Sequence, residues 1–239
     1  MARVWIPLPD TDFDVTEVAV PWKLLVRAGH EVVFATERGG SAPACDPLLL
    51  SGVLFGQLGA EPEPKRFYRE MEGSPELQRP LSWSSLDVST FDGLVLPGGH
   101  APGMRQYLGS EALFEKVRAF FALDRPVGAI CHGVLVAARA GVLRGRKTTC
   151  LPGYMERTAY FLTAWKLGRY YRTYPAYVEE EVRAALASES DFVRGPTSLV
   201  ARGTDEDDRP AFVVEDGRYV SARWPGDAYL FAKRFIAKL

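Results

Sequence analysis

Two short apolar runs, Val4 to Leu8 and His30 to Thr36, flank a helix-length stretch from Thr16 to Ala28 that stops at Gly29. A strand, a helix and a second strand at this spacing form a βαβ unit. Its parallel strands need a crossover, which is right-handed in nearly all cases, so the chain opens as a doubly wound α/β sheet. The alternation then resumes. Phe91 to Leu96 reads as a strand closed by Pro97-Gly98-Gly99-His100, and Glu111 to Leu123 reads as a helix with Leu113, Phe114, Val117, Phe120 and Phe121 turned inward. Arg125 to Gly133 is a buried strand running into a turn, and Val134 to Ala140 is a small-residue helix stopped by Gly141. Near the end, Asp216-Gly217 between two alternating runs predicts a hairpin over Ala211 to Arg223, and Asp227 to Leu239 predicts a closing helix.

Two stretches depart from this rhythm. From Gly39 to about Leu86 the chain is rich in Pro, Gly and Ser, with short helical pieces predicted at Leu48 to Leu50 and Phe67 to Met71, and it reads as a long insertion packed on the scaffold. The stretch from 151 to 190 holds six of the chain's 10 tyrosines together with Trp165. Rings concentrated this way suit a pocket lid or a subunit interface, and equally two surface helices with aromatic inner faces. No boundary looks like a free linker, so the 239 residues are expected to form a single domain with insertions at about 39–86 and 151–190.

Charge and cysteine content narrow the function classes. With 29 Lys+Arg against 30 Asp+Glu the net charge is -1, which offers no basic footprint for nucleic acid or an anionic membrane. No apolar run approaches the roughly 20 residues of a membrane helix, and the N-terminus reads as a first strand rather than a secretory leader. Three scattered cysteines, Cys45, Cys131 and Cys150, make neither a disulfide framework nor a CxxC motif, and the expected setting is the reducing cytoplasm.

Ala129-Ile130-Cys131-His132-Gly133 carries the most chemistry. A nucleophile on a sharp turn between a buried strand and a helix needs small neighbours, and Ala129 and Gly133 supply them. This is the logic of a nucleophile elbow, which would expose the sulfur above the carboxyl end of the sheet and lower the thiol pKa at the helix N-terminus. Taken alone, Cys131 reads as well as an ordinary buried thiol. Two further features favour the elbow. The Gly98-Gly99 pair ends a neighbouring strand, so the Gly99 and His132 amides are candidates for an oxyanion hole, and Glu17 starts the first helix over the same sheet edge. His100 reads as a pocket residue or a loop cap, and His30, before a strand, as structural. Three scattered histidines give no metal-ligand spacing and no phosphate-binding glycine motif is present, so neither a metal nor another cofactor is expected.

Together these motifs resemble the ThiJ/PfpI superfamily, the class I glutamine-amidotransferase-like proteins, and are most similar to its glyoxalase III/deglycase chaperone branch. The resemblance rests on Glu17 in Thr-Glu-Val-Ala-Val-Pro, on Phe91 to His100, on Gly128-Ala-Ile-Cys-His-Gly, on Val220-Ser-Ala-Arg-Trp-Pro-Gly-Asp, and on Asp46-Pro-Leu-Leu-Leu-Ser-Gly in the first insertion. It implies a flavodoxin-like three-layer α/β/α sandwich with a mostly parallel sheet, a reactive thiolate at Cys131, and a homodimer. It also implies that Glu17 is a protonated carboxyl bonded to the sulfur and that His132 is an acid or base. Glu17 read by itself is equally a solvated glutamate in a helix's first turn. The acid that often orients the histidine in this family has one nearby candidate here, Glu156, and spacing leaves open whether it points at His132. The implied activity is a cofactor-independent, cysteine-dependent reaction on small reactive carbonyls. The alternatives are a redox-sensing or chaperone-like stress protein with little turnover, and an amidase or hydrolase of the same superfamily.

Overall fold

The computed structural model describes residues 1–53, 58–172, 174–197 and 200–239. Part of each expected insertion, residues 54–57 and Thr173, lies outside them. The strands are β1 (Arg3–Pro7), β2 (Thr11–Phe13), β3 (Glu31–Thr36), β4 (Ala44–Cys45), β5 (Leu81–Ser82), β6 (Gly93–Leu96), β7 (Val127–Ile130), β8 (Val213–Asp216) and β9 (Tyr219–Ala222). Seven of them form one sheet in the order β5-β3-β1-β6-β7-β9-β8, parallel throughout except for the β8–β9 hairpin at one edge. Strands β2 and β4 pair separately.

The helices are α1 (Val15–Arg27), α2 (Pro47–Ser51), α3 (Pro62–Glu72), α4 (Pro75–Gln78), α5 (Met104–Leu108), α6 (Glu111–Phe121), α7 (Gly133–Arg139), α8 (Gly153–Leu167), α9 (Val178–Ala185) and α10 (Ala228–Ile236). From β1 the chain winds outward to β3 and β5, then returns to β6 on the other side of β1. Right-handed crossovers running in opposite directions put their helices on opposite faces. Accordingly α1 packs with α3 and α10, and α7 packs with α5, α6 and α9. With both faces covered, the central strands read as unbroken apolar runs, and Val4, Trp5, Ile6, Leu94, Val95 and Leu96 are fully buried. The reversal of strand order between β1 and β6 opens a crevice at their carboxyl ends, where ligands bind in open α/β sheets.

The stretch from 39 to 86 is more than an insertion laid on the scaffold. Its β5 extends the main sheet, with Ala35 opposite Leu81 and Thr36 opposite Ser82, and its α3 packs on α1. A two-residue strand leaves no periodicity to read, which is why the sequence hid it. In the second insertion the aromatic residues divide: Phe161 and Trp165 on α8 are 83% and 71% exposed, whereas Tyr171 beyond it is buried. Between β9 and α10, Arg223 and Asp227 form a fully buried two-point ion pair at 2.8 and 2.9 Å, and Asp227 also accepts from the Phe212 and Arg223 amides. Among the described residues, no helix is long and apolar enough to cross a membrane.

Candidate active site

Strand β7 ends at Ile130, and Cys131 still donates its amide to Ala222 O of β9 at 3.1 Å. Its φ is then +56°, a left-handed conformation that costs a non-glycine residue roughly 1–2 kcal/mol. Close backbone packing holds the turn in place. A Cβ on Gly133 would stand 2.0 Å from Leu96 O, and one on Gly98 would stand 2.7 Å from His132 N. The glycines therefore let the start of α7 and the end of β6 touch backbone to backbone, and the elbow hangs between them.

Glu17 reaches this turn from α1. Asp14 caps that helix, its Oδ1 accepting from the Thr16 and Glu17 amides at 2.8 and 3.0 Å. Glu17 is fully buried: its Oε2 accepts from Gly98 N–H at 2.8 Å, its Oε1 has no hydrogen-bond partner among the described residues, and the carboxyl lies beside the Cys131 sulfur. Burial, reinforced by Asp14, holds the Glu17 carboxyl well above the usual carboxylate range. A solvated first-turn glutamate is thus not what the fold makes of this residue.

The sulfur is not exposed as the elbow pattern predicts. Cys131 is fully buried, and burial pushes its thiol well above the ordinary value, with any negative charge on Glu17 or Asp14 pushing it further. The His132 amide works in the opposite direction but does not overcome desolvation, so the expected lowering by the helix start is overruled. The His132 ring lies on the sulfur's side of the turn, with Nδ1 3.4 Å from Sγ.

Two of the three histidines meet in space. The His100 ring packs edge-on against His132, with centroids 4.6 Å apart, and Tyr171 packs against His100 at 4.9 Å. Burial lowers both imidazoles, His100 to about 4 and His132 well below its ordinary value. Glu156 does not orient His132. Its Oε2 accepts from Val178 N–H at 3.0 Å at the start of α9, and among the described residues no carboxylate is hydrogen-bonded to His132. Burial raises Glu156 to about 7. His30 accepts from the Ala2 amide at 3.1 Å and is structural, while Cys45 and Cys150 are free, buried thiols.

A cavity of about 320 Å³ leads to this cluster, with His100, Tyr171, Asp14, Glu156, Arg202 and Trp224 among its lining residues. His100 and Tyr171 line it, whereas Cys131, His132 and Glu17 do not. A larger groove of about 630 Å³ beside α8 and α9 includes none of these residues, and its Glu179 is paired with Arg183 and Arg194. Sequence reasoning missed Asp14, Tyr171 and Arg202. Asp14 was readable as an acidic N-cap just before an apolar helix, and it is raised to about 6 by burial at the cavity wall. Tyr171 was one tyrosine among six, and nothing near Arg202 marks it.

Residues 8–196 match the family described as ThiJ/PfpI family-like. An uncharacterized protein of Schizosaccharomyces pombe is 31% identical over 97% of this chain and 81% of its own length. Deglycase PfpI of Pyrococcus furiosus is 27% identical over 97% of this chain and 96% of its own. Among solved structures, glyoxalase III of Candida albicans superposes with a TM-score of 0.71 over 100% of this chain and 97% of its own, at 20% identity, a likeness of fold. The family match spans most of the chain, including the strands and turns that build the elbow, and the protein belongs to the ThiJ/PfpI family.

Proposed function

We propose that the protein is a cysteine-dependent enzyme acting on small reactive carbonyls, α-oxoaldehydes such as methylglyoxal, without glutathione or another cofactor. The observation that carries this reading is Cys131 in a left-handed turn with His132 Nδ1 3.4 Å from its sulfur and a buried Glu17 carboxyl beside it. The relatives named as a deglycase and as glyoxalase III support the substrate class.

The resting site is built of neutral groups, so the nucleophile is generated when the carbonyl arrives. His132 Nδ1 takes the thiol proton as Sγ bonds to the aldehyde carbon, and the carbonyl π pair moves onto oxygen, held by the Gly99 and His132 amides. Return of the proton to that oxygen gives a hemithioacetal. Moving a proton from the former aldehyde carbon to its neighbour, through an enediol and with His132 or Glu17 as carrier, leaves a thioester. The aldehyde carbon is oxidised and the ketone carbon reduced, so no external oxidant is needed. Water then breaks the C–S bond, releasing a 2-hydroxy acid and the thiol. Among the described residues no carboxylate is hydrogen-bonded to His132, which speaks against an amidase or hydrolase triad.

The homodimer is proposed with it, since α8 turns Phe161 and Trp165 to solvent, and light scattering of the purified protein measures the mass. The activity test is methylglyoxal consumption and 2-hydroxy acid formation by wild type, Cys131→Ser and Glu17→Gln with no glutathione. Cys131→Ser is expected to abolish turnover and Glu17→Gln to lower kcat by about 10²-fold. Turnover that survives Cys131→Ser would overturn the mechanism, and none on any α-oxoaldehyde would overturn the substrate class.

A further inference from the structure

His100 and His132 come from different strand-to-helix turns, and the fold brings both to the sulfur of Cys131. One ligand-competent atom of each of the three residues lies within 4.8 Å of the other two. In a tetrahedral zinc site, metal–sulfur bonds of about 2.3 Å and metal–nitrogen bonds of about 2.0–2.1 Å place neighbouring ligand atoms about 3.3–3.6 Å apart. The Cys131 Sγ to His132 Nδ1 separation, 3.4 Å, already has that length. His100 needs to close by about an ångström to complete the set. It is the least buried of the three and, unlike Cys131 and His132, lines the cavity, which gives an ion an approach.

We propose that Cys131, His100 and His132 form a three-ligand site for zinc, and that its occupation switches the nucleophile off. One thiolate and two imidazoles select zinc-class ions over magnesium or calcium, which require oxygen ligands. Three protein ligands leave the fourth position open toward the cavity. The surroundings that would orient the ligands are already in place: Tyr171 stands edge-on to His100 at 4.9 Å, and the buried Glu17 carboxyl lies beside the sulfur. Binding exchanges the thiol proton for the metal: a sulfur–zinc bond forms, the S–H bond breaks, one proton leaves to solvent, and nothing is oxidised or reduced. The sulfur lone pair that would attack a carbonyl is then held by the ion.

Cobalt(II), a spectroscopic stand-in for zinc, tests this without reference to any substrate. Titrated into the metal-free protein, it is expected to give a thiolate-to-cobalt charge-transfer band and tetrahedral ligand-field bands that saturate at one equivalent and vanish on adding zinc. Cys131→Ser should lose the charge-transfer band, and His100→Ala should weaken binding at least tenfold. Thermal melting of each variant checks its fold, and wild type alkylated at Cys131 replaces a serine variant that does not fold. Cobalt binding without the band, a band that persists in Cys131→Ser, or wild-type affinity in His100→Ala would each overturn the assignment. If methylglyoxal is turned over, one equivalent of zinc should stop it and a chelator should restore it. Failure of the carbonyl chemistry leaves the cobalt result standing, and turnover untouched by bound zinc refutes the off-switch.

Discussion

Gly133→Ala tests whether the elbow is seated on the end of β6. An added Cβ would lie 2.0 Å from Leu96 O and 2.7 Å from the carbonyl oxygen of Pro97, both backbone atoms that cannot swing aside. An ordinary carbon–oxygen contact is about 3.4 Å, so the start of α7 and the end of β6 must part by roughly an ångström. Overpacking of this kind costs about 1–3 kcal/mol, which in a domain of this size lowers Tm by roughly 2–12 °C. The chemistry should suffer more than the stability. A misplacement of about 1 Å at a reacting centre costs on the order of 10²-fold, and the displaced turn is the one that sets Sγ against His132. The assay pairs differential scanning calorimetry with the rate of Cys131 alkylation, read by peptide mass, and with methylglyoxal turnover. Gly141→Ala is the control. Gly141 has φ +73° but open space around its Cβ position, so alanine there adds only backbone strain of about 1 kcal/mol and leaves Cys131 reactivity unchanged. A Gly133→Ala protein with wild-type Tm and wild-type Cys131 reactivity would refute the seating.

Three other perturbations follow from the same geometry. Glu156 is raised by burial from 4.5 to about 7, so between those values the folded state holds a proton that the unfolded chain has released, and stability falls as pH rises. At 1.36 kcal/mol per pH unit this is about 3 kcal/mol, present below pH 4.5 and lost by about pH 7. Glu156→Gln should therefore gain roughly 6–12 °C on wild type between pH 4.5 and 7, and a constant difference in Tm would refute the shift. Arg223→Ala leaves Asp227 charged and buried without its partner, a loss of about 3–5 kcal/mol in urea unfolding. Adding Asp227→Leu should restore much of that; equal stabilities for the single and double variants would refute the unpaired charge as the cause, and an Arg223→Ala protein as stable as wild type would show the pair to be dispensable. Tyr171→Ala removes the ring beside His100 and should speed alkylation of Cys131 by a bulky maleimide more than by iodoacetamide; equal acceleration would mean that access runs elsewhere.

What the sequence showed and what it hid divide by range of interaction. β1, α1, β3 and α7 lie within a residue or two of where apolar periodicity and glycine stops predicted them, because those signals are local. The elbow was legible for the same reason: a cysteine between Ala129 and Gly133 at a strand end already implies crowded backbones. Strand β5 was hidden because two residues paired to β3 have no period. The buried sulfur and raised thiol were hidden because burial is set by contacts between elements far apart in the chain, such as α1 with its Glu17 and Asp14. Spacing left open whether Glu156 points at His132, because an acid one element past the nucleophile can face several ways; the Val178 amide claims it, and it lines the cavity.

On the proposed mechanism, the histidine pair would let the site keep its nucleophile buried and still use it. Burial raises Glu17 and Cys131 and lowers His100 and His132, so the four side chains rest uncharged, and the desolvation cost of a buried ion is not incurred until substrate arrives. Moving one proton from Sγ to His132 then creates a positive and a negative group 3.4 Å apart inside a low-dielectric enclosure, where their attraction is largest. In a site with an orienting carboxylate, that carboxylate stabilises the imidazolium permanently. Here the neighbour is His100, which cannot share a second positive charge at 4.6 Å, so the imidazolium is stabilised by the thiolate or the oxyanion it has just made. Such a base is strong only while the reaction's negative charge is present, which fits brief proton shuttling along a substrate better than sustained activation of water.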